Sequence, residues 1–98
     1  MNEYMFHIDL PDALNQEFLS KIPAQREKIN KLMGEGVISS YTLAKDRTRL
    51  WVTVKAESED EAYDVFESFP LYDFMDGELI PLMFHQSINV ALPQMSMN

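Results

Sequence analysis

The chain has no cysteine, only three glycines, a single tryptophan, and neither lysine nor arginine beyond Lys55. Without cysteine there is no disulfide, no thiolate nucleophile and no Cys-ligated metal. Glycine this scarce supplies no Gly-rich phosphate loop. No stretch approaches the roughly 20 apolar residues needed to cross a bilayer, and Met1 leads into no signal-peptide pattern. The expectation is a cytoplasmic protein with no membrane partner. The missing cations are more telling. Up to Ala56 there are eight basic residues against seven carboxylates, and from Glu57 onward nine carboxylates and no cation. A net charge of −8 repels nucleic acid, so none is expected as a partner. Either the acidic half is a solvated helix face, or an anionic ligand must be held by the first half.

What is present suffices for one packed domain. Ninety-eight residues with 46% hydrophobic content can bury a modest core and are too apolar for disorder. Residues 4–10 alternate, with Tyr4, Phe6, Ile8 and Leu10 on one side and Met5, His7 and Asp9 on the other, which reads as a half-buried strand. A helical stripe of Phe18, Ile22, Ile29, Leu32 and Met33 follows, stopped at Gly34-Glu35-Gly36. Pro23 lies inside it and predicts a kink or a fresh start near Ile22. Residues 37–44 and 49–56 read as a hairpin closed by Lys45-Asp46-Arg47-Thr48. In the second of these strands Leu50, Val52, Val54 and Ala56 oppose Arg49, Trp51, Thr53 and Lys55. Neither face of the first is decisively apolar.

Ser58-Glu59-Asp60-Glu61 fits a capping box opening a second helix, whose stripe is Ala62, Val65, Phe66 and Phe69. Pro70 ends it, residues 71–77 cross over, and residues 78–85 form a last strand. Its Ile80, Leu82 and Phe84 are expected to face the helices, and Leu79, Pro81, Met83 and His85 the other side. The fold class is therefore α+β, a ferredoxin-like β-α-β-β-α-β sandwich on a four-stranded antiparallel sheet. The first and last strands are expected to line one cavity without being immediate neighbours. Two helices cover only one face of such a sheet. The other carries Met5, His7, Trp51, Leu79, Met83 and His85, too much apolar surface for water, so a second copy is expected to pair sheet to sheet as a dimeric α+β barrel. The domain spans 1–87. Residues 88–98 form an apolar tail, either at the oligomer interface or frayed.

Chemistry must come from few groups. His7 and His85 are the only imidazoles, and either could move a proton near neutral pH or merely pack at an interface. Arg49 and Trp51, two apart on one strand, set a cation beside an aromatic wall, which suits a flat organic acid or a contact with an acidic partner. Tyr41 and Thr42 on the adjoining strand are secondary contacts. No His/Asp/Glu spacing indicates a metal, no Ser/His/Asp grouping indicates a nucleophile, and no cofactor is implied.

The pieces Glu57-Ser58-Glu59-Asp60-Glu61, Ser68-Phe69-Pro70-Leu71, Phe74-Met75-Asp76 and Pro81-Leu82 with His85 resemble the muconolactone isomerase family. Phe6-His7 and Glu35-Gly36 fit it too. The resemblance implies a ferredoxin-like fold, a sheet-to-sheet homodimer or larger ring, and a cofactor-free proton transfer that moves the double bond of a small carboxylate-bearing lactone. In that reading His7 or Glu27 is the catalytic base, and Arg49, Trp51, Arg26, Tyr41 and His85 bind the organic acid. Family members carry a glutamate-rich middle of the first helix. Here that stretch reads Pro23-Ala24-Gln25-Arg26, with Glu27 the first carboxylate. The alternative is a non-catalytic small-molecule-binding or structural member.

Overall fold

Strict alternation buries Tyr4, Phe6 and Ile8 along the first strand, β1 (Asn2–Asp9), and leaves their neighbours nearer water. In the computed structural model, which describes residues 2–12 and 15–86, β1 is followed by α1 (Gln16–Gly34), β2 (Ile38–Leu43), β3 (Arg49–Ala56), α2 (Glu59–Glu67), a 3-10 turn (Tyr72–Phe74) and β4 (Asp76–Pro81). This is the β-α-β-β-α-β order expected. All pairings are antiparallel, and the sheet order is β2-β3-β1-β4. One core joins Phe6, Ile8, Leu50, Val52 and Val54 to Ile29 and Leu32 of α1 and to Ala62 and Phe66 of α2. Both helices thus cover the same face, and among the described residues the other face carries no helix. The expected tail, residues 88–98, lies outside the described residues.

The helix ends follow local chemistry. Asn15 caps α1, its Oδ1 accepting from the Phe18 amide at 2.8 Å, and Ser58 caps α2, its Oγ accepting from the Glu61 amide at 3.2 Å. Glu61 reaches back as a capping box requires, although its carboxylate accepts from the Glu57 amide rather than from the cap residue itself. Of the kink or fresh start expected near Ile22, the fresh start is absent: α1 runs through Pro23 as one helix. Phe18, Gln25, Ile29 and Leu32 lie on one buried stripe spanning the proline, and that shared burial holds the helix together despite one missing amide.

Two further expectations are corrected by the sheet. First, β1 and β4 are direct neighbours, with His7 opposite Glu78. Second, the last strand starts and ends earlier than residues 78–85 and has the opposite parity. Leu79 pairs with Phe6 and faces the helices, whereas Ile80 pairs with Met5 on the open face and is 40% exposed. Its two faces are almost equally apolar in sequence, so alternation could not choose between them. The choice is made at Gly77, which lies beside Ile8 on the helix face: a Cβ there would meet the Phe66 ring at 2.7 Å. Phe66 in turn packs on Phe6, Phe69 and Tyr72, with centroids 4.8, 5.8 and 5.0 Å away, and has no room to withdraw.

A second register device lies in β2. The pairing shifts between Ile38 and Ser40, leaving Ser39 as a bulge. Ile38 and Tyr41 therefore both fall on the helix face despite being an odd number of residues apart, which is why neither simple alternate set of this strand looked apolar. Gly77→Ala is expected to lower unfolding free energy by about 1–3 kcal/mol through overpacking, while Gly34→Ala, with open space at its Cβ, costs nothing measurable. Urea denaturation of the two variants checks this, and equal stability of Gly77→Ala and wild type would contradict the strand parity.

Candidate functional site

The inward-facing Tyr41 lines a recess on the helix side of the sheet. A cavity of about 610 Å³ lies between α1 and the β2–β3 hairpin. Its walls are mainly apolar, from Leu10, Phe18, Ile22, Ile29, Leu50 and Met75, with the more exposed Leu19, Met33 and Leu43 alongside. Five polar residues interrupt them: Gln25, Arg26 and Asn30 from α1, Tyr41 from β2 and Arg47 from the hairpin loop. An apolar hollow with a few convergent polar groups is the usual form of a small-molecule site.

Gln25 organises its floor. It is 4% exposed, a rarity for glutamine, and is satisfied at both ends. Its Oε1 accepts from the Leu71 amide at 3.1 Å, which fixes the amide's orientation because a backbone N–H can only donate. Its Nε2 then donates to the Tyr41 hydroxyl oxygen at 3.3 Å. One side chain thereby ties α1 to the chain segment after α2 and to β2. The phenol keeps its own proton for another acceptor. Burial raises the Tyr41 pKa above its ordinary value of 10.0, only partly offset by the Gln25 hydrogen bond. Tyr41 is thus a neutral hydrogen-bonding group near neutral pH and no base.

The opposite face of the sheet carries a different assembly. His7 pairs across β3 with Trp51, their rings 5.7 Å apart and inclined by 38°, and Asp9 pairs with Arg49, Oδ1 to Nε at 3.9 Å. Both members of that ion pair are more than half exposed, so it contributes under about 1 kcal/mol. A smaller recess of about 260 Å³ is lined by His7, Asp9, Asp76, Gly77 and Glu78. The His7 Nε2 and the Thr53 hydroxyl are shielded from water yet have no hydrogen-bond partner among the described residues. The same holds for the His85 Nε2. His85 follows β4 rather than lying within it.

The residues singled out in sequence are therefore divided by the sheet. Arg26 and Tyr41 meet at the helix-side cavity, while His7, Arg49 and Trp51 meet on the open face. Glu27 is exposed on α1 and lines neither recess. Three polar residues that sequence reasoning passed over join the larger cavity, Gln25, Asn30 and Arg47. Gln25 carried a signal, since it stands seven residues after Phe18 and four before Ile29, within the buried stripe. Arg47 carried none. Among the described residues no three His, Asp or Glu side chains are grouped to hold a metal, and no helix is long and apolar enough to cross a membrane.

The sequence model describing muconolactone delta-isomerase matches residues 3–88. The chain belongs to the muconolactone delta-isomerase family. Among solved structures, a crystal structure of muconolactone isomerase matches with a TM-score of 0.68, covering 91% of this chain and 96% of that one at 18% identity. At that identity the likeness shows the fold. No curated protein sequence matches significantly. The two hydrogen bonds of Gln25 make it a structural clasp in the middle of α1.

A titration checks the Tyr41 environment. A tyrosine whose folded pKa is raised contributes stability that is intact below about pH 10 and is lost as pH rises through the raised value. Ultraviolet titration of the folded protein should show one of the four tyrosines ionising late. Tyr41→Phe should remove that step and make the alkaline fall in stability shallower.

Proposed function

We propose that this protein binds a small carboxylate-bearing ring compound, a lactone or related organic acid, in the cavity between α1 and the hairpin, and that it does so without turning the ligand over. One observation carries this reading: the cavity combines apolar walls with two arginines, a neutral phenol and an amide, and has no carboxylate or imidazole in its described lining. Residues outside the described set include no Asp, Glu or His side chain that could fill that gap. Moving a double bond in a lactone needs a group that takes a proton from carbon near neutral pH, and neither glutamine, arginine nor a phenol of raised pKa does so. Arg26 grips the carboxylate, the Tyr41 hydroxyl donates to a ring or carbonyl oxygen, and the aliphatic walls take the ring.

A second reading keeps the family reaction and gives the base role to His7. It is supported by the shielded His7 Nε2 without a partner, beside Trp51 and near the cation of Arg49. Against it, Asp9, Asp76 and Glu78 crowd the same recess and repel a carboxylate. The protein acts in the cytoplasm as a homodimer, the open face with Met5, Trp51 and Ile80 covered by that of a second copy.

Calorimetry and turnover assays with muconolactone separate the readings. Binding weakened at least tenfold by Arg26→Ala, with no isomerisation and no solvent deuterium entering the ligand, is the expected result. Turnover abolished by His7→Ala would establish the second reading instead. Light scattering on wild type should return twice the 11.4 kDa chain mass or a multiple of it.

A further inference from the structure

The hairpin loop contains the one non-glycine residue of positive φ among the described residues, Arg47 at 65°. That is the left-handed region, where a β-carbon crowds the following carbonyl and glycine or asparagine is the ordinary occupant. The setting makes the choice of arginine more unusual. The Arg47 amide donates to the Ala44 carbonyl at 2.9 Å, closing a turn through Lys45 and Asp46, and the Ala44 amide donates to the Arg49 carbonyl at 2.9 Å. A turn followed by a left-handed residue is a hairpin form that favours glycine at that position.

The loop is built to hold this conformation. The Asp46 carboxylate accepts from the Thr48 hydroxyl at 2.7 Å and from its amide at 3.0 Å, and these bonds keep the Asp46 carboxyl below its usual range. The Thr48 carbonyl accepts from the Leu10 amide at 2.9 Å, pinning the loop to the end of β1. Strain of this kind persists only where surrounding structure imposes it, and it concentrates at working sites.

Arg47 also lines the large cavity, from the hairpin side, while Arg26 lines it from α1. The ion pairs among the described residues are Lys21–Glu17, Lys31–Glu35 and Arg49–Asp9, so neither cavity arginine belongs to one. Two unpaired guanidinium groups on separate walls of an apolar hollow leave a deficit of negative charge there.

We propose that Arg47 is the specificity-determining residue of this cavity: it is kept in a strained backbone position because its guanidinium closes on the ligand carboxylate from the side opposite α1, so that the site takes an aromatic or cyclic carboxylate and refuses the neutral isostere. This rests on the cavity being the binding site proposed above. Arg26 supplies attraction to the anion from a regular helix. Arg47 supplies the second contact, and the loop bonds set its backbone in place before the ligand arrives.

The test compares benzoate with benzamide, which share shape and differ in charge, on the full chain by calorimetry, with melting temperature recorded for each variant. Wild type should bind benzoate at least tenfold more tightly than benzamide. Arg47→Gly and Arg47→Asn, both compatible with a left-handed backbone, should reduce that ratio to near one while leaving the melting temperature unchanged or raised by a few degrees. If both variants keep the tenfold preference while Arg26→Ala loses benzoate binding, the cavity reading stands and the role given to Arg47 is wrong. A marked drop in melting temperature in both variants would mean that arginine is kept there for stability, which also overturns the proposal. Failure of wild type to prefer benzoate, or binding that neither arginine affects, would remove the cavity reading together with this one.

Discussion

The close approach of Gly77 to Phe66 is the contact on which the rest of the arrangement turns. Phe66 needs the space that a side chain at position 77 would fill, so Gly77 must lie on the helix face. Because side chains alternate with a period of two, that single requirement places every later residue of β4. Leu79 joins the core, Glu78 stands opposite His7, and Ile80 is left on the open face. Had β4 slipped by one residue, Glu78 would point into a helix-covered core with no cation to meet it.

With the parity settled, the sheet acts as a partition between two chemically different surfaces. The helix side holds an apolar cavity with a neutral phenol and two arginines that form no ion pair among the described residues. The open side holds exposed apolar groups such as Ile80 and a recess lined by His7, Asp9, Asp76 and Glu78. An organic anion is attracted to the first and repelled by the second. Among the described residues an imidazole lines the second and neither an imidazole nor a carboxylate lines the first. The arginines suited to an anion and the imidazole suited to taking a proton thus line recesses on opposite faces of the sheet. Gln25 reinforces the separation: a carboxylate at that position would face the buried Tyr41 hydroxyl and could serve as a base, whereas the amide satisfies the Leu71 amide and Tyr41 and becomes part of the scaffold.

The cavity's polar groups come from three elements that are each held differently. Arg26 rides on a regular helix capped by Asn15. Tyr41 is turned inward by the Ser39 bulge. Arg47 is held by a loop whose bonds run to Asp46, Ala44 and, through Thr48, to Leu10.

The sequence by itself determined what depends on near neighbours. The alternation of β1 and β3, the stripe of α2, the Ser58 cap and the α+β order were all legible, because each is a period or a hydrogen bond spanning a few residues. That Arg49 and Trp51 share one face of β3 was legible for the same reason. Tertiary structure decided what depends on distant partners. The parity of β4 waits on Phe66, eleven positions from Gly77. The continuity of α1 through Pro23 waits on the surface it packs against. The clasp of Gln25 joins positions 16 and 46 residues away. Arg47's place in the cavity waits on a helix about twenty residues earlier. Alternation and capping are local rules, whereas the division of candidate residues between two faces of a sheet follows from which strands lie side by side.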